Sequence, residues 1–206
     1  MAAIIFDFDG TIADSFDYVA DFLASSAGKP KLTDDQKQAL RGLSMLAMAR
    51  QLGFKWWRLP SLFFKGRNRM GLAIKYLKPF KGLPELLNKL HLEGHELFIL
   101  STNSLHNVHR FLHQHDLHQY FLEVYGGVGL FSKAPALKKL LSEQKIELKN
   151  AIYVGDELRD VEAAQSIDLR IVAVTWGFAS MANLKDKKPT ALADNPTQLL
   201  GILEEI

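Results

Sequence analysis

The stretch Ala2-Ala3-Ile4-Ile5-Phe6-Asp7-Phe8-Asp9-Gly10-Thr11 decides how this chain reads. Its apolar run, rich in β-branched and aromatic side chains, predicts a strand buried on both faces, and it stops abruptly at a turn that carries two acids. Asp7 and Asp9 stand two residues apart, so on extended backbone their side chains leave the same face. Like charges held that close repel, and a cation between them relieves the repulsion. A hard divalent ion fits oxygen donors, and Mg²⁺ in particular takes one or two carboxylates together with substrate phosphate. In an open α/β sheet, ligands bind beyond the carboxyl ends of the parallel strands, which is where this turn would lie. Gly10 lets backbone approach a ligand, Thr11 offers a hydroxyl and an N–H to substrate, and Asp14-Ser15 can cap the helix that follows.

Further along, other apolar runs end in the same way. Glu96 to Leu100 predicts a second strand, which runs into Ser101-Thr102-Asn103 at the start of a helix. Hydroxyls and N–H groups there, from Ser101 and Thr102 above all, would hold phosphate oxygens. Leu122 to Tyr125 predicts a third strand, Ala151 to Val154 a fourth, Ile171 to Val174 a fifth, and Thr190 to Ala193 a short edge strand. The fourth ends in Gly155-Asp156-Glu157-Leu158-Arg159-Asp160, where two acids four residues apart form a second carboxylate cluster on the same edge. Lys133 opens a predicted helix, a position unfavourable for a cation in the helix dipole, and that local cost hints at an anion nearby. Strands alternating with helices imply a parallel sheet with helices on its faces, an α/β fold of Rossmann-like type.

The run from Asp7 to Ser15 closely resembles the first motif of the haloacid dehalogenase-like hydrolases, a superfamily dominated by phosphatases. Ser101 resembles the second motif, Lys133 the third, and Asp156 with Asp160 the fourth. The resemblance implies Asp7 as nucleophile, Asp9 as general acid/base, and Ser101 as a phosphate donor, with Lys133 steadying the phosphoryl charge. It implies Mg²⁺ on Asp7, Asp156 and the backbone carbonyl of Asp9, with Asp160 in support. A phosphatase acting on a small phosphomonoester through an aspartyl-phosphate follows. A phosphomutase would share every motif and differ in excluding water, and a non-catalytic module binding an anionic surface is the reading outside enzymology. Ser166-Ile167-Asp168 replaces the Ala-Gly that usually follows the fourth motif, a change of turn that leaves the acids in place.

Between Ser15 and Pro79 the pattern is helical throughout, so residues 1–14 and 80–206 are expected to form the catalytic core and 15–79 a small all-helical cap inserted after the first strand. The insertion is electrostatically distinct: from Gln36 to Pro84 there are eleven Lys or Arg and no acid, in a chain whose net charge is only +2. Such a block steers phosphorylated substrates inward. Arg41-Gly42-Leu43-Ser44 resembles the turn that phosphoglycolate phosphatase-like relatives set over the active site, which makes Arg41 a candidate for a second anionic group. Phe54, Trp56, Trp57, Phe63 and Phe64, interleaved with Lys55, Arg58, Lys65, Arg67 and Arg69, either pack inside the cap or meet a membrane surface. A nucleic-acid partner is not expected.

With 206 residues and 48% hydrophobic content the chain can bury a large core. Zero cysteines exclude disulfides and Cys-ligated zinc, which suits a cytoplasmic setting. No apolar run reaches the roughly 18 residues of a membrane span. His106, His109 and His113 share a helical face, but an exposed polar face accounts for them.

Overall fold

A computed structural model of the chain describes residues 1–43, 45–129 and 132–205; Ser44, which the sequence pattern above includes, lies outside the described residues, as do the side chains of Trp56, Phe63 and Arg67. Six strands, β1 (Ala3–Phe6), β2 (Glu96–Leu100), β3 (Phe121–Tyr125), β4 (Ala151–Gly155), β5 (Arg170–Val174) and β6 (Ala191–Ala193), form one sheet in the order β3-β2-β1-β4-β5-β6. Every neighbouring pair is parallel. The strand whose sequence decided the reading lies at the centre. Its neighbours follow it in opposite directions along the sheet, so a crevice opens beyond its carboxyl end, where α/β sheets bind ligands.

All four residues of β1 are buried, because helices cover both faces of the sheet. Ile4 and Phe6 face one core with Leu86, Leu87, Val108, Phe111 and Leu199, whereas Ala3 and Ile5 face another with Leu137, Leu140, Val161, Ala164 and Leu184. The helices that supply these residues are α5 (Leu83–Leu92), α6 (Leu105–Gln114) and α10 (Pro196–Glu205) on the first face. On the second they are α7 (Lys133–Glu143), α8 (Leu158–Gln165) and α9 (Met181–Asp186). The period-two alternation of a strand thus divides one apolar run between two cores.

A helical insertion follows β1: α1 (Phe16–Ser26), α2 (Asp34–Leu40), α3 (Met45–Gln51) and α4 (Leu59–Ala73), with α1 packed against the other three. Chain exit and return run side by side, since the Asp14 N–H donates to the Lys78 carbonyl (2.9 Å) and the Phe80 N–H to that of Ile12 (3.2 Å). Helix α2 starts on the capping box legible in Thr33 and Gln36. Ser15, by contrast, makes no side-chain cap at the start of α1. Gly66 is a poor helix former by propensity, yet α4 runs straight through it. Close packing explains the glycine, since a Cβ there would stand 3.1 Å from the Phe22 ring of α1.

Candidate active site

The Asp7 N–H still belongs to the sheet, donating to the Val154 carbonyl at 2.8 Å, so the carboxylate is carried on rigid backbone at the sheet's edge. One oxygen, Oδ2, accepts from Lys133 Nζ at 2.7 Å. Lys133 is the first residue of α7, and its ammonium also pairs with Asp160 on the first turn of α8. The second oxygen of Asp160 accepts from the Glu157 N–H at 3.0 Å. Asp156, just past the end of β4, is held on both sides: its Oδ1 accepts from the Thr11 hydroxyl and its Oδ2 from the Phe178 N–H, each at 2.8 Å. Acids from distant parts of the chain therefore meet, and ligand atoms of Asp7, Asp156 and Asp160 lie within 4.8 Å of one another.

Burial governs the electrostatics. It raises the Asp7 carboxyl to about 7, against the opposing pull of Lys133. It also pushes Asp156 well above the ordinary carboxylate range, and the charges of Asp7 and Asp160 push the same way. For Lys133 burial works against the ammonium, but Asp160 and Asp7 outweigh it and hold the group above the usual lysine value. Three buried carboxylates with one lysine between them leave an excess of negative charge, and their donors are all oxygen. A hard divalent cation fits such a cluster.

Gly10 and Gly177 make room for this arrangement. A Cβ on either would collide with the Asp156 carboxylate, and Gly10 also has φ +84°. Gly10→Ala is therefore expected to destabilise the fold by at least about 2 kcal/mol, read as a shift of the urea midpoint. A midpoint within error of the unmodified chain would contradict the crowding at Asp156.

Asp9 faces away from the carboxylate cluster. Its Oδ2 accepts from the Asn103 side-chain amide at 3.0 Å. The amide is oriented by its own neighbours, because Asn103 Oδ1 accepts from the Ser104 N–H and from Asn107 Nδ2, both at 2.9 Å. Asp9 Oδ1 is buried without a hydrogen-bond partner among the described residues. Burial raises the Asp9 carboxyl, with Asn103 and then the nearby Ser15 hydroxyl opposing. Asp9 also lines a cavity of about 60 Å³ between the sheet and the insertion, with Thr102 and Asn103 beside it and Val19, Leu62 and Phe178 among the apolar walls.

Among the residues predicted from sequence, Asp7, Lys133, Asp156 and Asp160 converge on one point, and Asp9 and Thr102 share the adjoining cavity. Ser101 is buried at the end of β2; its oxygen accepts from the Asn103 N–H, and no acceptor among the described residues takes its proton. The Thr11 hydroxyl, expected to meet substrate, is instead committed to Asp156. Arg41 does not join the group. Its guanidinium lies 4.4 Å over the Phe16 ring and 3.3 Å from Asp17, in a separate pocket with Asp14 and Lys78. Asn103, Glu157 and Arg159, which read as caps or solvated charges in the sequence, are instead largely buried around the cavity.

Known proteins resemble this chain over most of its length. The family model described as haloacid dehalogenase-like hydrolase matches residues 4–174. A phosphoglycolate phosphatase from Synechococcus elongatus is 35% identical, covering 100% of this chain and 99% of its own. One from Aliivibrio fischeri is 28% identical over 97% of this chain and 95% of its own. The solved structure of a haloacid dehalogenase-like family hydrolase from Streptococcus pneumoniae superposes with a TM-score of 0.79, covering 98% of each chain; at 21% identity that likeness is one of fold.

Proposed function

The chain belongs to the haloacid dehalogenase-like hydrolases, and on that premise we propose that it is a Mg²⁺-dependent phosphatase that cleaves a small phosphomonoester through an aspartyl-phosphate on Asp7. The convergence of Asp7, Lys133, Asp156 and Asp160 beside a cavity reached by Asp9 carries the reading. The resemblance of the relatives to this chain over its whole length makes 2-phosphoglycolate the first substrate to test.

Asp7 attacks phosphorus in line, its carboxylate oxygen bonding to phosphorus as the bond to the leaving oxygen breaks. Asp9, kept readily protonated by burial, donates its proton to that leaving alkoxide. It then takes a proton from the water that attacks the phosphorus, and the bond from Asp7 breaks to release phosphate. Lys133 and the free proton of Ser101 hold charge on the phosphoryl oxygens, while Asp160 fixes Lys133 in place. Asp7, Asp156 and the Asp9 carbonyl would hold Mg²⁺, which when bound neutralises negative charge shared by carboxylates and phosphate. Residues 15–79 act as the cap, closing the leaving-group cavity, and their basic surface draws phosphorylated substrates in.

Phosphate release from a panel of phosphorylated metabolites, with Mg²⁺ and with chelator, tests the proposal. Turnover of at least one ester that is lost on chelation is expected, and no turnover of any would sink it. A second expectation follows from the raised carboxylates. Cation binding requires their ionised forms, so Mg²⁺ should raise the melting temperature more at pH 8 than at pH 5. Equal stabilisation at both would place the ion elsewhere.

A further inference from the structure

The cavity beside Asp9 combines apolar walls with a polar end made by Asp9, Thr102, Asn103, Glu157 and Arg159. Arg159, on the first turn of α8, is the one cation among the described residues that line it. Its Nη2 donates to Glu157 Oε1 at 2.6 Å, but Nε and Nη1 are buried with no partner among the described residues. Buried guanidinium donors left unmatched are costly, and a structural arginine would ordinarily spend them on carbonyl oxygens. Glu157 is itself anchored at the start of α8, since its N–H donates to Asp160 Oδ2 at 3.0 Å and its carbonyl accepts from the Asp160 N–H at 2.9 Å. Arg159 is thus held in one orientation before any ligand arrives, which lowers the entropic cost of binding. Its charge also reaches the reacting groups, favouring the ionised forms of both Asp7 and Asp9. Arg41, the arginine that the sequence nominates for a second anion, occupies a different pocket.

We infer that Arg159 is the specificity residue of this site, taking the carboxylate of a phosphomonoester whose leaving group is a short hydroxy acid. The inference rests on the phosphatase reading and adds to it the residue that reads the leaving group's carboxylate. An anion in the cavity would satisfy donors that the protein leaves unmatched, and the small volume and apolar walls exclude a long or heavily hydroxylated chain. Glu157 is a positioning residue in this scheme, aiming the guanidinium without touching substrate.

The test compares two esters of the same carbon count, 2-phosphoglycolate and ethyl phosphate, which differ in a carboxylate against a methyl group. With Mg²⁺ present, the full chain should prefer the carboxylated ester in kcat/KM. Arg159→Met should reduce that preference by about 10- to 150-fold, the value of a charge-assisted hydrogen bond, chiefly through KM. Arg159→Lys, which keeps a charge at the same place, should retain part of the preference, and it carries the test if the Met variant does not fold. A wild-type preference near unity would overturn the inference, as would an equal loss on both esters, which would assign Arg159 to the phosphoryl group. Failure of the wild type to hydrolyse either ester, or any of the wider panel, is a separate result that removes the phosphatase reading itself.

Discussion

Asp7→Asn is expected to lower kcat by at least about 10⁴-fold while leaving the fold intact. The two side chains are nearly isosteric, and the amide oxygen can still accept from Lys133, so the surroundings need not move. What disappears is the anionic oxygen that must bond to phosphorus. Stability supplies the control. Burial raises the Asp7 carboxyl from 3.8 in the unfolded chain to about 7 in the fold. Between those values the folded state binds more protons than the unfolded one, so the metal-free wild type loses stability as pH rises through the window. Asparagine does not titrate. The variant should therefore match the wild type near pH 4 and be no less stable at pH 8 without metal, as thermal melts at the two pH values would show. Equal phosphate release from wild type and variant would refute the nucleophile assignment, and a melted variant would show that the carboxylate is needed for folding.

Much of this site is legible in the chain because its spacing is fixed by backbone alone. Asp7 and Asp156 follow central strands that pair with each other, so wherever β1 and β4 are adjacent the two acids are neighbours. Asp160 follows one helical turn later on α8 and reaches back to the same edge. Parallel strands buried on both faces also announce themselves as short, continuous apolar runs, and the predicted strands all appear within a residue or so of their places. Side-chain direction at tertiary contacts has no such signature. Arg41 is drawn outward by Asp17 and the Phe16 ring, partners that only the docking of α2 on α1 brings near. Arg159 turns inward because Glu157, fixed by the start of α8, holds it there. Asn103 reads as a cap residue until Asn107 is seen to orient its amide towards Asp9. Gly66 misleads for a related reason, since its meaning lies in the Phe22 ring across the helix pair rather than in helix propensity.

Lys133→Met should be the most destabilising single change at the site, and its cost should depend on pH. The ammonium is buried, contacts Asp7 and Asp160, and is the cation that both acids share. Removing one partner of a buried pair typically costs about 3–5 kcal/mol, because the remaining charges have neither water nor a counterion. Methionine fills similar volume, so the loss reports charge more than packing. Throughout pH 5 to 8 the wild-type lysine stays protonated, its own value being raised above the usual one, chiefly because Asp160 and Asp7 outweigh the burial that opposes it. The pH dependence therefore comes from the acids left behind. Without Lys133, whose charge opposes burial, the folded value of Asp7 rises further above its unfolded one, so the variant's stability falls as pH rises through the carboxylate range. Denaturant titrations should show a deficit near the upper figure at pH 8 and a clearly smaller one at pH 5, where a proton neutralises Asp7 instead. Mg²⁺ at pH 8 should restore part of the loss in stability but not the rate, since kcat should remain about 10²- to 10³-fold down for want of the phosphoryl contact. A deficit equal at both pH values would mean that Lys133 acts by filling space, and a wild-type rate would remove it from the chemistry.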